Sequence, residues 1–447
     1  MSDTHVVTNQ VPPLENYNPA SSPVLIEALI QEGGQWGLDE VNEVGAISAS
    51  CQAQRWGELA DRNRPILHTH DAYGYRVDEV EYDPAYHELM RTAITHGMHA
   101  APWADDRPGA HVVRAAKTSV WTVEPGHICP ISMTYAVVPA LRYNSELAAV
   151  YEPLLTSREY DPELKPATTK AGITAGMSMT EKQGGSDVRA GTTQATPNAD
   201  GSYSLTGHKW FTSAPMCDIF LVLAQAPDGL SCFLLPRVLP DGTRNRMFLQ
   251  RLKDKLGNHA NASSEVEYDG AVAWLVGEEG RGVPTIIEMV NLTRLDCALG
   301  SATSMRTGLT RAVHHAQHRK AFGAYLIDQP LMRNVLADLA GGGRGRHHRG
   351  NADGRCHRQR GARERDRSAA ASHRPGGRQV LGVQALHRSR RRSAGVPGRQ
   401  RLCRGFRDAP ALPGGAVDGH LGGLGQCQRA RYLARHGNPA RMRRGAV

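Results

Sequence analysis

Met177-Ser-Met-Thr-Glu-Lys-Gln-Gly-Gly-Ser-Asp187, followed by Gly207-His-Lys-Trp-Phe-Thr-Ser213, is the passage on which the reading of this chain turns. The first segment is a loop of small and hydroxyl residues entering a β region. Thr180 and Ser186 offer hydroxyls, and Gly184-Gly185 lets the backbone come close to a ligand. Backbone N–H groups in such a loop can hold an anionic ring edge or a pyrophosphate. In the second segment Phe211 presents an aromatic wall, and Ser213 a hydroxyl at the end of a strand. Either segment alone also reads as an ordinary glycine turn or a strand with a core aromatic; their combination points to a site.

Outward from this passage the hydrophobic period changes twice. Residues 1–174 read as a helical domain. Pro23 to Ile30 opens a helix, since proline suits the first helical position. Tyr86, Leu89, Met90, Ala93 and Ile94 recur at three-four spacing, the mark of a buried helix face, and Cys129 to Tyr151 is an apolar stretch of helical length. Residues 175–280 read as a compact β domain. Asp200-Gly201 precedes a short strand, Asp228-Gly229 joins Ile219–Ala224 to Leu230–Leu235 as a hairpin, and Leu252 to Trp274 continues in the same style. Helical spacing returns in residues 281–340: Ile286, Val290, Cys297, Met305, Leu309, Ala312 and Ala316 share one side of a long helix, and Leu331 to Leu339 begins another. The fold class is α+β: helices, a middle β domain, then helices.

The net charge of +9 is unevenly spread. Residues 341–447 hold 25 of the 53 Lys and Arg but 5 of the 44 Asp and Glu, so the tail carries +20 and the body −11. An acidic body argues against nucleic-acid affinity of its own. The eight cysteines include no Cys-x-x-Cys pair, which suits reduced thiols in a cytoplasmic protein. No signal peptide opens the chain and no apolar run approaches the roughly 18 residues of a transmembrane helix, so no membrane association is expected. His314 and His318, at i and i+4, lack a third ligand nearby and read as a solvated helix face. His347, His348, Cys356 and His357 lack zinc spacing.

The two segments together resemble the acyl-CoA dehydrogenase family, and the wording M-T-E-K-Q-G-G-S-D resembles its AidB, or DNA alkylation response, branch; general members carry a Pro-Gly-Ala-Gly version of the loop. Asn9-Gln-Val-Pro-Pro13, Cys129-Pro-Ile-Ser-Met-Thr134, Arg251-Leu-Lys-Asp-Lys-Leu-Gly-Asn258 and Arg294-Leu-Asp-Cys-Ala-Leu-Gly-Ser301 belong to the same pattern, which runs from about residue 5 to 340. The resemblance implies FAD as cofactor and an acyl-CoA thioester as substrate. It places Met177, Thr180, Gly184, Gly185 and Ser186 around the flavin, with Thr180 at the pyrimidine edge and Ser186 near the pyrophosphate. Phe211, Thr212 and Ser213 would flank the isoalloxazine, with Ser213 on the N5 side. Gly277-Glu-Glu-Gly-Arg-Gly282 matches a glycine-rich turn before the long helix. Arg319 and Phe322 match a segment that reaches the FAD of a neighbouring subunit, implying a homotetramer. Pro330 stands where many relatives have a glutamine that touches the flavin.

The chemistry also needs a base for the α-proton while flavin N5 accepts the β-hydride. The family places a glutamate at one of two positions. One aligns with Thr293, which cannot serve; the other lies in a C-terminal Trp-Glu-Gly or Tyr-Glu-Gly loop, which is absent here. Asp296 is the nearest carboxylate and a weak candidate. As written, the chain is expected to be inactive or impaired.

After Ala340 the composition turns to Arg, Gly, Ala and His without Lys or Trp or any sustained period, and such a segment is expected to be disordered. Gly341-Gly-Gly-Arg-Gly-Arg346 resembles an RGG box, so one reading is an arm that binds DNA without sequence preference. The other is a frameshift near residue 340. Gly419-His-Leu-Gly-Gly-Leu-Gly-Gln-Cys427 can be encoded as GGG CAT CTG GGA GGG CTC GGG CAA TGT, and with those codons it reads one base along as Gly-Ile-Trp-Glu-Gly-Ser-Gly-Asn-Val, the missing loop. The function expected is therefore a flavoprotein of the acyl-CoA dehydrogenase type; the alternative is a DNA-binding protein of the alkylation response with little dehydrogenase activity.

Overall fold

The structure, a computed structural model, describes residues 4–341. The tail readings (frameshift, disorder, basic arm, histidine cluster) lie outside the described residues.

The N-terminal region contains helices α1 (Pro23–Gln31), α2 (Leu38–Ala49), α3 (Cys51–Arg62), α4 (Pro84–Thr95), α5 (Ala110–Val120), α6 (Ile128–Leu141) and α7 (Ser145–Thr156). Their ends are written locally. Ser50 caps α3 by accepting from Ala53 N, and Asp83 caps α4 by accepting from Ala85 N with Pro84 at the first position. The apolar face of α4 is fully buried, as its spacing predicts. The apolar stretch from Cys129 to Tyr151, expected as one helical run, is instead two helices. Asn144 breaks it, its side chain accepting from Leu147 N to start α7. Buried almost all round, α6 is a central helix. A hairpin of β1 (Ile66–His70) and β2 (Arg76–Glu81) interrupts the helices. Polar residues on both faces of β1 leave it only partly buried, so its sequence carries no clear strand pattern.

The middle region has seven strands: β3 (Ala175–Ser178), β4 (Gln194–Pro197), β5 (Tyr203–Ser213), β6 (Ile219–Ala226), β7 (Gly229–Pro236), β8 (Met247–Leu252) and β9 (Ser263–Leu275). Pairings β5–β4, β4–β6, β6–β7, β7–β9 and β9–β5 close a ring, with β3 bridging β5 and β6 and β8 on the edge of β9. In the β6–β7 hairpin Ala226 pairs with Gly229, so Pro227-Asp228 forms the turn, one residue earlier than expected.

Helix α8 (Gly282–His318) is 37 residues long, about 55 Å at 1.5 Å per residue. It packs on α5, α6 and β7, and of its spaced apolar residues all but half-buried Leu309 are buried. A small hairpin, β10 (Lys320–Ala321) and β11 (Ala324–Tyr325), follows, and residues 330–341 are helical. One hydrophobic core runs from α6 through the barrel to the first half of α8; a second fills the N-terminal helices.

Candidate functional site

The glycine-rich passage is organised by its own Glu181. The carboxylate is 2% exposed and accepts from Lys209 Nζ at 2.7 Å, the Thr192 and Thr193 amides at 2.7 and 3.1 Å, both threonine hydroxyls, and Gln183 Nε2. Burial acts to raise this carboxyl, but Lys209 and the Thr192 amide outweigh it and hold Glu181 well below the usual carboxylate range. The loop is thereby fastened to β5, which carries Lys209, and to the approach to β4. Trp210 N donates to the Thr180 carbonyl at 2.7 Å. A Cβ on Gly185 would lie 2.5 Å from Thr180 Oγ1, so glycine is needed there for the loop to fold over Thr180; Gly184, at φ +130°, has open space around it. Met177 is buried on β3, and Ser186 is exposed.

The alternation of β5 separates its last three residues. Thr212 is fully buried and its hydroxyl meets Ser178 Oγ, to which Tyr268 also donates at 3.2 Å. Phe211 and Ser213 face a cavity instead. The side chain of Thr212 therefore points away from the cavity.

The cavity lies where α3, the α5–α6 connection, β5, the 255–263 loop and α8 meet. Its volume is about 180 Å³, room for roughly a dozen waters at about 10–15 Å³ each. It gathers Phe211, Ser213, Thr293 and Asp296 from distant parts of the chain. Three buried oxygens in its wall, Ser132 Oγ, Asn258 Oδ1 and Asn261 Oδ1, have no hydrogen-bond partner. Unsatisfied buried polar atoms are rare, and three of them belong to residues of this one wall.

Its acidic residues are already committed. Asp296 takes a two-pronged ion pair from Arg114, one bond of 2.7 Å, with both side chains buried. Arg114 also stacks over the Tyr135 ring at 3.9 Å. Both carboxylate oxygens of Asp296 are thus engaged by one guanidinium. The Thr293 hydroxyl donates to Val290 O of its own helix at 2.9 Å. Glu124 accepts from Gly126 N at 2.6 Å and from the backbone and Nδ1 of His127. Trp121 Nε1 donates to His127 Nε2 at 2.6 Å, and because an indole only donates, the proton of His127 sits on Nδ1, facing Glu124.

One cationic group in the wall has a different setting. Lys255 Nζ donates to the carbonyls of Asn258 (2.8 Å) and Asn261 and reaches Ser263 Oγ at 3.3 Å, which in turn lies 3.2 Å from Ser213 Oγ. Burial brings its ammonium down to about 8. Glu181 and Lys255 lie inside sequence motifs that do not reveal these roles, and Glu124 lies outside every such motif. An acidic residue in Glu124-Pro-Gly-His127, between two apolar helices, was the available signal.

Arg319 and Phe322 sit apart, beyond the end of α8. Arg319 Nη1 donates to Asn9 O, and the Asn9 side chain bonds both backbone groups of Lys320 at 2.8 Å. Phe322-Gly323 is a two-residue hairpin turn with both φ positive, 52° and 81°, and Phe322 is 100% exposed. A bulky residue in the left-handed region is strained. His314 Nε2 bonds Pro12 O at 2.8 Å. Among the described residues no group of His, Cys, Asp or Glu could hold a metal ion, no helix is long and apolar enough to cross a membrane, and none of the five cysteines forms a disulfide.

Comparison with known proteins agrees with this architecture. Residues 9–162 match the adaptive response protein AidB N-terminal domain, 176–271 the acyl-CoA dehydrogenase middle domain, and 280–342 the acyl-CoA dehydrogenase C-terminal domain. The acyl-CoA dehydrogenase apdG of Emericella nidulans is 33% identical over 337 residues, covering 72% of this chain and 67% of that protein. The chain belongs to the acyl-CoA dehydrogenase family. Within this family of oxidoreductases it is 48% identical over 344 residues to AidB of Escherichia coli, covering 75% of this chain and 63% of that one. The crystal structure of Caenorhabditis elegans ACDH-11 in complex with C11-CoA superposes with a TM-score of 0.82 at 26% identity, covering 93% of this chain and 73% of that one. The α+β acyl-CoA dehydrogenase fold expected from the motifs is the fold observed.

Proposed function

We propose that this chain is the flavin-binding core of an AidB-branch acyl-CoA dehydrogenase, taking FAD and an acyl-CoA thioester. The observation that carries the reading is the cavity at the junction of barrel, helical region and α8, walled by Phe211 and Ser213 and holding three unsatisfied buried oxygens. These residues suit an isoalloxazine: an aromatic face, a hydroxyl donor at the strand end, and a pinned glycine loop beside them. Phe211 would flank the ring, Ser213 would donate to it, and Thr180 and the amides of Gly185 and Ser186 would hold its pyrimidine edge and pyrophosphate, while Gly184, whose amide donates to Glu181 O at 3.0 Å, would shape the turn. Met177 would support the loop and Thr212 contribute backbone only. When bound, the flavin supplies the hydride acceptor. Thr293 is bonded into its helix, no Trp-Glu-Gly or Tyr-Glu-Gly stretch occurs in the sequence, and Arg114 fixes Asp296, so neither family position nor the nearest carboxylate offers a base. The described residues therefore favour a chain whose dehydrogenase activity is impaired. Exposure and strain at Phe322 support a role for it, with Arg319, against a neighbouring subunit of a homotetramer. A cytoplasmic setting accords with the lack of a disulfide among the five described cysteines. The acidic body favours a location in the tail for any DNA affinity of an alkylation-response kind.

Replacing Thr180 and Ser213 together with alanine should weaken flavin retention, each lost hydrogen bond contributing roughly 1 kcal/mol. The visible absorbance of the purified protein and equilibrium FAD titration measure this. Unchanged retention would remove both hydroxyls from the flavin site.

A further inference from the structure

Ser213 and Ser263 face each other across β5 and β9, and both line the cavity. Their hydroxyl oxygens lie 3.2 Å apart and share one hydrogen bond, which either can donate. Two hydroxyls carry two protons, so one proton is left over. Among the described residues the further partner of the pair is Lys255. Its Nζ donates to Ser263 Oγ at 3.3 Å and to the carbonyls of Asn258 (2.8 Å) and Asn261.

An ammonium has three protons and no lone pair, and here three protons meet three acceptors. Ser263 Oγ can only accept from it, so the spare proton of the serine pair is left to the cavity. A neutral amine has two protons and one lone pair. The two carbonyls keep both protons, and the lone pair takes the Ser263 proton. Ser263 Oγ then takes the Ser213 proton, and the cavity meets acceptor lone pairs alone. We propose that Lys255 is a positioning residue that sets the sense of hydrogen bonding at Ser213: charged, it makes the serine pair a donor toward the bound ligand, and neutral, it makes the pair an acceptor. The ligand is the flavin of the reading above, on which this inference rests and which it deepens.

The surroundings of the lysine bring both forms within reach. No carboxylate forms an ion pair with it among the described residues, and burial, the largest influence, brings its ammonium down to about 8. Cys129 and Glu124 oppose that shift, and Arg64 adds to it. The other charged groups nearby are committed or fixed. His259 pairs with Asp61 at 3.3 Å and bonds the carbonyl of Lys255, not its amine. Glu58 and Asp296, in the same wall, pair with Arg55 and Arg114, and the wall's Arg311 stays charged throughout. A ligand atom that accepts from the serine pair favours the charged lysine, so affinity falls as pH rises through the lysine's transition.

The test is equilibrium FAD titration of the full chain between about pH 6.5 and 9.5, a range that brackets a lowered lysine. Wild type should bind FAD about fivefold more tightly at the acid end, the effect of one hydrogen bond. Lys255→Arg, charged throughout, should bind equally well at both ends. Ser263→Ala cuts the link while leaving the lysine in place, and it should also lose the step. Melting temperatures certify that each variant folds. A wild-type affinity that is flat in pH would overturn the switch and leave the flavin reading standing. A step that persists in Ser263→Ala would overturn it too, because the lysine would then act by holding the 258–261 loop. Absence of FAD binding at every pH would bring down the flavin reading, and this inference with it.

Discussion

At the scale of single residues, the site depends on buried charges whose partners lie far away in the chain. Glu181 and Lys209 are each about 1% exposed at the side chain. Removing one partner of such a pair strands the other, and Glu181→Gln is expected to destabilise the protein by about 3–5 kcal/mol at pH 7. Because the carboxyl is held below its unfolded value, its contribution is complete above the ordinary carboxylate range. It is lost as the pH falls through the depressed folded value. The gap between wild type and variant in urea denaturation should therefore close on acidification. A gap independent of pH would show that the charge of Glu181 is not what holds the loop. Lys209→Met in the Glu181→Gln background should recover part of the loss, since it removes the stranded ammonium.

At the scale of elements, the placement of α8 decides whether a cavity exists. Its first residue, Gly282, sits against β7: a Cβ there would lie 2.5 Å from the Ser231 carbonyl carbon, a backbone atom that cannot swing aside. Gly282→Ala should cost about 1–3 kcal/mol through overpacking, seen as a lower melting temperature. It should also weaken FAD titration as Thr293 and Asp296 shift relative to Ser213. A variant as stable as wild type would mean that the helix start has slack. The spacing from Ile286 to Ala316 made this helix legible, as proline and the three-four pattern did for α1 and α4. The β1–β2 hairpin and the break at Asn144 were not, because a half-exposed strand has a weak pattern and a single cap residue hardly alters a long apolar run.

At the scale of the whole molecule, the charge divides into a body of −11 and a segment of +20 after residue 340. The full chain should bind duplex DNA without sequence preference. The logarithm of its affinity should fall linearly with that of the salt concentration, since lysines and arginines displace counterions. Deleting residues 341–447 should abolish this binding while leaving FAD titration in place, with fluorescence anisotropy as the measurement. Binding of duplex DNA by the truncated body at physiological salt would contradict the division of roles.

By itself the sequence determined the order helix, β domain, helix, and it offered the loop-and-strand pair that is proposed here as the flavin site. Each depends on period, turn chemistry or residue type along a continuous stretch, which are local properties. Only the tertiary structure decided which hydroxyl of Phe211-Thr-Ser213 faces the cavity, because strand register sets that. It alone showed that Asp296 is committed to Arg114, 182 positions away, and that Glu124 and Lys255 enter the wall. Burial and partner choice arise where distant segments exclude water together, and no local pattern records which segments will meet.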